Sequence, residues 1–207
     1  MVLITSGPTR EPMDPIRFLT NASSGRMGFA LARAARRRGA RVLVVSGPSA
    51  IAPPRGVELF SVETAAQMLR RVLSLCRGAD VVIGAAAVSD WRFAAVSPRK
   101  IKRKPGPVRL TLLPNPDIIK EVARRRPKSR RQLVVGFALE THCRLAKARR
   151  KLEEKGLDAV VANGPESLAG RRAEAVLLFN GGGEKKLGCH SKAKLASVII
   201  KEIEALL

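Results

Sequence analysis

The hydrophobic positions of this chain fall into short apolar runs separated by amphipathic segments. Continuous apolar runs, typical of strands buried on both faces, predict strands at Val2–Ser6, Arg41–Ser46, Asp80–Ala87, Gln132–Phe137 and Asp158–Ala162, with a shorter strand around Val57–Phe60. Helical spacing predicts helices at Phe29–Arg38, Thr64–Cys76, Arg144–Lys155 and Lys192–Leu206. Because strands alternate with helices, we expect an α/β fold, a Rossmann-like, doubly wound, mainly parallel sheet with helices on both faces.

A glycine-punctuated loop, Asn21–Gly28, connects the first predicted strand to the first helix. It predicts a phosphate-binding turn, because a helix N-terminus offers unpaired N–H groups to anions. The segment Pro8–Pro15 separates Gly7 from Gly25, which departs from the dinucleotide-binding fingerprint and predicts an ordered surface loop near the carboxyl end of the strand. Alternatively, Gly25 and Gly28 only allow the helix to pack closely on the strand.

The predicted strand Asp80–Ala87 ends in small residues and is followed by Asp90. An aspartate at this edge predicts contact with a ribose hydroxyl, a base amino group or hydrated Mg²⁺, and the alternative is capping of the next turn. The basic segment Lys100–Pro105 lies next to Gly106 and Pro107, which predicts a mobile flap that closes over phosphates. An exposed basic loop is the alternative for this segment.

A third group of candidate binding residues surrounds the start of a further helix. Asn115 is the predicted N-cap and Pro116 the first helical residue, so the amides of Asp117 and Ile118 would face a nucleotide. Phe137, at the end of a predicted strand, offers an apolar wall for a base. Basic residues repeat every four positions on one predicted helix face, at Lys147, Lys151 and Lys155. This stripe predicts triphosphate contacts, with a solvated surface as the alternative.

Composition narrows the class of protein. The 207 residues are 45% hydrophobic, enough for a core, and no 18-residue apolar run is present. Met1 leads directly into the first predicted strand, so we expect no secretory signal, no membrane partner and a cytoplasmic location. The net charge of +22 is spread along the chain, with one Trp and no Tyr. Stacking platforms are therefore scarce, and specific nucleic-acid binding is not predicted.

The cysteines and histidines do not form a metal-binding pattern. Three cysteines at wide spacings, Cys76, Cys143 and Cys189, argue against a disulfide framework or structural zinc and predict free thiols. His142 and His190 are too isolated to predict a histidine metal site.

Several motifs occur together and in order, namely Gly7–Glu11, Arg17–Gly28, Ala85–Asp90, Lys100–Lys102, Asn115–Ile118 and Val135–Thr141. From Met1 to about Phe179, they resemble bacterial phosphopantothenoylcysteine synthetase, the phosphopantothenate–cysteine ligase of coenzyme A biosynthesis. The resemblance implies one ligase domain over residues 1–207, with its flap at approximately 91–112. Many bacterial relatives carry a flavin-dependent decarboxylase domain upstream, and nothing in this sequence resembles it.

The resemblance implies a two-step ligation. The carboxylate of 4′-phosphopantothenate attacks the α-phosphate of CTP, releasing pyrophosphate and leaving an acyl-cytidylate, and the amine of L-cysteine then displaces CMP. Mg²⁺ is expected to bind with CTP, since no dedicated carboxylate cluster is visible, and its protein ligands are not assigned. The family works as a homodimer, which implies that Arg17 or Asn21 completes the partner's pocket. A separate phosphopantothenoylcysteine decarboxylase is left open as a further partner.

Matching positions imply roles for individual residues. Lys100 corresponds to the catalytic flap lysine that stabilises charge at the α-phosphate, and Asn21 to the asparagine that contacts the acyl-cytidylate. Arg17 lies in the same substrate segment and is assigned to catalysis and substrate binding together with Asn21, while Ala87 is assigned to substrate binding. The implied CTP-binding residues are Ala86, Asp90, Lys100, Pro116, Asp117, Ile118, Ile119, Phe137, Lys151 and Lys155.

Two other functions stay open on the residues alone. The first β-loop-α unit favours an NAD(P)-dependent Rossmann reductase, but the long insert after Gly7 and the absence of Tyr disfavour one. A basic nucleic-acid-associated protein is favoured only by the charge. No base-reading motif distinguishes CTP from ATP.

Overall fold

A computed structural model describes residues 1–103, 105–165 and 172–207. The strands are β1 (Val2–Ser6), β2 (Arg10–Pro12), β3 (Phe18–Thr20), β4 (Val42–Ser46), β5 (Glu58–Ser61), β6 (Val81–Gly84), β7 (Trp91–Phe93), β8 (Leu112–Pro114), β9 (Leu133–Leu139), β10 (Ala159–Asn163), β11 (Arg172–Phe179) and β12 (Glu184–Ser191). The helices are α1 (Arg26–Arg37), α2 (Ala65–Cys76), α3 (Ile118–Arg124), α4 (Arg144–Glu154) and α5 (Lys192–Glu204). Lys104, part of the predicted basic flap, lies outside the described residues.

Eight strands form one sheet in the order β12-β11-β10-β9-β6-β1-β4-β5. The six strands from β10 to β5 are parallel, and β11 and β12 add an antiparallel edge. The chain moves from β1 outward to β4 and β5 and then returns to place β6 on the other side of β1. This reversal creates a switch point between β1 and β6, where open α/β sheets bind ligands.

Helices cover both faces of the sheet, because alternate residues of each strand point to opposite sides. On one face, Ile4 and Ile83 pack with residues of α1 and α5. On the other face, Leu3 and Val82 pack with residues of α2, α3 and α4. The doubly wound, mainly parallel α/β fold is therefore confirmed.

Two short ribbons were not predicted as strands. The insert Pro8–Pro15, expected as an ordered loop, contains β2, which pairs with β3. The predicted flap region begins in β7 and ends in β8, which pair with each other. Ala94 N donates to Thr111 O at 2.9 Å, extending this pairing into the loop between the two strands.

The glycines of the first loop have a packing role. A Cβ added to Gly28 would lie 2.5 Å from Ser6 Oγ and 2.6 Å from Ser6 Cβ. Gly25 has φ of 76° and forms the N-cap of α1, a conformation that favours glycine. Close packing of α1 on β1 is thus confirmed, while phosphate binding at this turn stays a prediction. Among the described residues, no helix is both long and apolar enough to cross a bilayer.

Candidate active site

The candidate site lies at the switch point, where β6 ends at Gly84 and the chain continues into the loop 85–90. Ala87 N donates to Gly7 O at 2.9 Å, and Thr9 N donates to Ala87 O at 3.3 Å. Thr5 Oγ1 also accepts from Ala86 N at 3.2 Å. These bonds hold the backbone of Ala86 and Ala87 against the end of β1 and the segment that follows it.

The side chain of Asn21 donates hydrogen bonds to the backbone of the loop 85–90. Its Nδ2 donates to Ala87 O at 3.1 Å and to Val88 O at 3.0 Å. Both partners are carbonyl oxygens, which fixes the orientation of the carboxamide. Since both N–H bonds are used, Oδ1 is the atom that Asn21 offers to a ligand in this conformation.

Asn115 also donates hydrogen bonds to the backbone of the loop 85–90. Its predicted role as the N-cap of a helix is therefore wrong. Asn115 Nδ2 donates to Ser89 O at 2.9 Å, and Asn115 N donates to Asp90 O at 2.8 Å. The N-cap of α3 is Asp117, whose carboxylate accepts from Lys120 N at 3.2 Å. Pro116 therefore precedes the cap instead of occupying the first helical position.

The lysine stripe of α4 is held by carboxylates. Lys151 Nζ lies 2.8 Å from Glu140 Oε1, and Lys147 Nζ lies 3.5 Å from Glu140 Oε2. Burial raises the pKa of Glu140, but its pairs with Lys151 and Lys147 bring the pKa below the ordinary value overall. Lys155 follows the last residue of α4, and its Nζ lies 2.7 Å from Asp117 Oδ2. The pair with Asp117 places the Lys155 ammonium group beside the start of α3.

One cavity of about 450 Å³ joins these elements. This volume is within the range of about 300–1,000 Å³ that is typical of small-molecule sites. Its lining includes the predicted residues Asn21, Ala86, Ala87, Asp90, Pro116, Asp117, Ile118, Ile119, Phe137, Lys151 and Lys155. Segments that are far apart in the sequence are therefore brought together around one cavity. Phe137 gives it an apolar wall, and Lys151 and Lys155 add positive charge to its lining.

The predicted residues Arg17 and Lys100 do not line this cavity. Lys100 is exposed in the loop between β7 and β8. Arg17 donates to Asp14 through Nε at 3.0 Å and also through Nη2, and Nη2 donates to Ile101 O at 2.8 Å. Arg17 thus connects the turn before β3 to the residue that follows Lys100.

A smaller cavity of about 130 Å³ shares Ala86, Ala87 and Phe137 with the first. Ser23, Ser24 and Arg26, at the N-terminus of α1, line it together with the buried Lys192. Burial, aided by the positive charge of Arg26, lowers the pKa of Lys192. The predicted phosphate-binding turn therefore opens onto a positively charged compartment adjoining the main cavity.

Sequence reasoning missed several residues that support the site. Thr9 is buried, and its Oγ1 accepts from Ser89 N at 2.9 Å. Glu140 holds two lysines of the predicted stripe. Thr9 and Ser89 are 80 residues apart, and Glu140 lies outside the helix whose lysines it contacts, so a single sequence offers little signal for them. Within residues 1–103, 105–165 and 172–207, no group of three or more His, Cys, Asp or Glu side chains is placed to hold a metal ion.

Comparisons with known proteins place the chain in a family. Residues 1–207 match the family described as the DNA/pantothenate metabolism flavoprotein C-terminal domain. The chain belongs to this family. The C-terminal domain of a coenzyme A biosynthesis bifunctional protein CoaBC, known as a crystal structure, shares its fold with a TM-score of 0.85 and 36% identity, over 99% of this chain and 94% of that one.

Full-length family members show the same similarity. The coenzyme A biosynthesis bifunctional protein CoaBC of Vibrio vulnificus strain CMCP6 is 41% identical over 212 residues, covering 100% of this chain and 52% of that protein. CoaBC of Bacillus subtilis strain 168 is 42% identical over 210 residues, covering 99% and 51%. The chain thus spans about half the length of these curated relatives. The similarity to proteins named for coenzyme A biosynthesis agrees with the family resemblance seen in the sequence.

Proposed function

We propose that this chain is a phosphopantothenate–cysteine ligase of coenzyme A biosynthesis that uses CTP. The observation that carries the proposal is the convergence of the resemblance-derived residues, other than Arg17 and Lys100, on one cavity at the switch point, in a member of a pantothenate-metabolism family. Both substrates of the first step are phosphorylated, so we expect the reaction to run in the cytoplasm. A decarboxylase would then process the product.

The main cavity suits the nucleoside part of CTP. Phe137 provides an apolar wall for the base, and the helix start at Asp117 and Ile118 faces the same space. Asp90, at the end of the loop 85–90, is placed to accept hydrogen bonds from a ribose or base. Lys151 and Lys155 line the same cavity and offer charge-assisted hydrogen bonds to phosphate oxygens, the contacts that the sequence predicts for them.

We assign the triphosphate tail to the adjoining compartment at the N-terminus of α1. Backbone N–H groups at a helix N-terminus favour anions, and Arg26 and Lys192 add positive charge there. Mg²⁺ would enter bound to the triphosphate, since it commonly binds through substrate phosphates and few protein carboxylates.

In the first step, a carboxylate oxygen of 4′-phosphopantothenate forms a bond to the α-phosphorus, and the bond to the departing pyrophosphate breaks. The reacting groups are both anionic, so catalysis needs positioning and neutralisation of charge. Lys100 provides this charge from the flap, and Arg17 orients the second substrate.

In the second step, the amine of cysteine attacks the acyl carbon, CMP leaves and the amine proton passes to solvent. Asn21 is placed beside the loop carbonyls of Ala87 and Val88. Its Oδ1 is available to accept a hydrogen bond from the acyl-cytidylate or the incoming amine.

We also propose a homodimer in which the two ribbons meet a second copy. Large apolar residues on and beside these ribbons are each at least 40% exposed in the single chain, and they are Ile16, Phe18, Trp91, Leu112 and Leu113. Exposed apolar groups of this kind mark interaction surfaces. Because Arg17 and Lys100, which Ile101 connects, both lie outside their own cavity, the dimer would bring them together to the partner's site.

The proposal is tested by incubating the protein with 4′-phosphopantothenate, Mg²⁺ and either CTP or ATP, with and without cysteine. Pyrophosphate release and the masses of the products are followed together. We expect phosphopantothenoylcysteine and CMP with CTP. The same amide product with ATP alone would overturn the nucleotide assignment, and no turnover with either nucleotide would overturn the ligase.

A further inference from the structure

The flap is anchored to one turn of the chain on both sides of Lys100. Ser97 N donates to Met13 O at 3.0 Å, three residues before Lys100. Ile101 N, one residue after Lys100, donates to Asp14 Oδ2 at 3.1 Å. Consecutive Cα atoms are about 3.8 Å apart, so the position of Ile101 closely restricts that of Lys100.

Asp14 is the centre of this anchor, and its side chain is fully buried. Oδ1 accepts from the backbone N of Ile16 and of Arg17, both at 2.9 Å. Oδ2 accepts from the Arg17 guanidinium and from Ile101 N. One carboxylate oxygen therefore builds the turn, and the other holds the flap.

Arg17 completes the connection. Its Nη2 donates to Ile101 O, so both backbone polar groups of Ile101 are bound by the Asp14–Arg17 pair. The guanidinium holds the pKa of the Asp14 carboxyl well below its usual range. The carboxylate stays ionised at any pH at which the ligase would be assayed, so the anchor is permanent and does not act as a pH switch.

We propose that Asp14 is a positioning residue for the ligation: together with Arg17 it fixes Ile101, and thereby sets where Lys100 and the substrate arginine stand relative to the reacting phosphate. Asp14 itself lines neither of the two cavities of the candidate site. The inference rests on the proposed function for the roles of Lys100 and Arg17, whereas the anchor is a property of the fold.

The substitution Asp14→Asn separates the two tasks of the carboxylate. An asparagine has one acceptor oxygen, which can still bind the amides of Ile16 and Arg17 and keep the turn. Its NH₂ group would then face the donors of Arg17 and Ile101, which leaves the flap side without an acceptor. We expect the turn to persist and the flap to detach.

The first test is limited trypsin digestion of the full chain, with cleavage after Arg99, Lys102 and Arg103 scored by mass spectrometry. We expect Asp14→Asn to raise the initial cleavage rate at these bonds at least tenfold. The matched control is Glu58→Gln, which removes an exposed ion pair with Arg41 at the far edge of the sheet and should leave flap cleavage unchanged. Equal flap cleavage in folded Asp14→Asn and the wild type would overturn the anchor.

The second test is kinetic. With CTP, 4′-phosphopantothenate and cysteine, we expect Asp14→Asn to lower kcat at least tenfold while KM for CTP changes less than threefold, because the nucleotide cavity is untouched. An unchanged kcat, or a loss confined to KM for CTP, would overturn the positioning role. If the wild type releases no pyrophosphate, the proposed function fails, and the trypsin result still decides whether Asp14 anchors the flap.

A second variant covers the case in which Asp14→Asn does not fold. Ile101→Pro removes the N–H that Asp14 accepts and leaves Asp14 and Arg17 intact, although the proline ring also fixes φ at position 101 and restricts the backbone of Lys100. We expect it to raise cleavage after Arg99, Lys102 and Arg103 and to lower kcat as Asp14→Asn does. A Pro variant with wild-type cleavage and kcat would contradict the inference.

Discussion

At the scale of single residues, the candidate site depends on two carboxamides that hold one loop. Asn21 and Asn115 bind carbonyls of the loop 85–90 from opposite sides. The sequence predicts that both lie at the site, but it assigns Asn115 to a helix cap. Asparagine serves equally well as a cap and as a donor to distant carbonyls, so its partner is decided by tertiary structure.

Lys100 is the residue whose loss should affect the chemistry most. Lys100→Ala removes the cation that is expected to meet the α-phosphate only during the reaction, so kcat should fall by about 100-fold or more while KM for CTP changes little. Steady-state pyrophosphate release measures both parameters. Lys102→Ala is the control, since it removes an equal charge two residues away. Equal losses in the two variants would show that only the general charge of the flap matters.

At the scale of elements, the sequence predicts the strands of the parallel sheet, but it places the ends of strands and helices less accurately. Buried strands have continuous apolar runs, and β1 has the predicted bounds Val2–Ser6. In contrast, α1 begins at Arg26 instead of Phe29, since Gly25 caps it through its own backbone conformation without a side-chain cap. A polar first turn carries no apolar signal, so the predicted start was wrong by three residues.

The contact between α1 and β1 gives a prediction about stability. Gly28→Ala would place a methyl group against Ser6, so we expect a loss of about 1–3 kcal/mol in the free energy of unfolding, which is the usual cost of overpacking. Urea denaturation monitored by circular dichroism measures it. Ser24→Ala, an exposed position in the same loop, should remain within about 0.5 kcal/mol of the wild type. Equal stability of all three proteins would contradict the close packing.

The Asp14 turn gives a prediction about pH. Because the folded pKa of Asp14 is depressed, its stabilisation is present above the unfolded value of about 4 and is lost as pH falls below it. The difference in Tm between the wild type and Asp14→Asn should be constant from about pH 8 to pH 5 and shrink by about pH 3. Differential scanning fluorimetry measures it. Other depressed carboxylates, such as Glu121 and Glu140, affect both proteins alike. A Tm difference independent of pH would contradict this assignment.

At the scale of the whole molecule, the α/β class follows from the alternation of strands and helices, but two parts of the fold do not. The antiparallel strands β11 and β12 were not predicted. β12 is mostly exposed, and Leu187 is its one large apolar residue, so it lacks an apolar period. The ribbons β2–β3 and β7–β8 are too short for periodicity to reveal them.

The exposed apolar residues of the ribbons β2–β3 and β7–β8 predict a homodimer. Sedimentation velocity should find a dimer at micromolar concentration, and Leu113→Asp should shift it to monomer by placing charge in an apolar interface. Leu59→Asp is the control, because Leu59 is similarly exposed on β5 at the other end of the sheet. A wild-type monomer, or dissociation by Leu59→Asp alone, would place the interface elsewhere or remove it.

The most direct test of the central claim is to look for the intermediate when cysteine is absent. The protein is mixed at high concentration with CTP, Mg²⁺ and 4′-phosphopantothenate, quenched, and analysed by mass spectrometry. We expect phosphopantothenoyl-CMP in amounts comparable to the enzyme, with equal pyrophosphate, and its conversion to phosphopantothenoylcysteine and CMP when cysteine is added. Product formed only through an acyl phosphate, or CTP left intact, would contradict the proposed ligation.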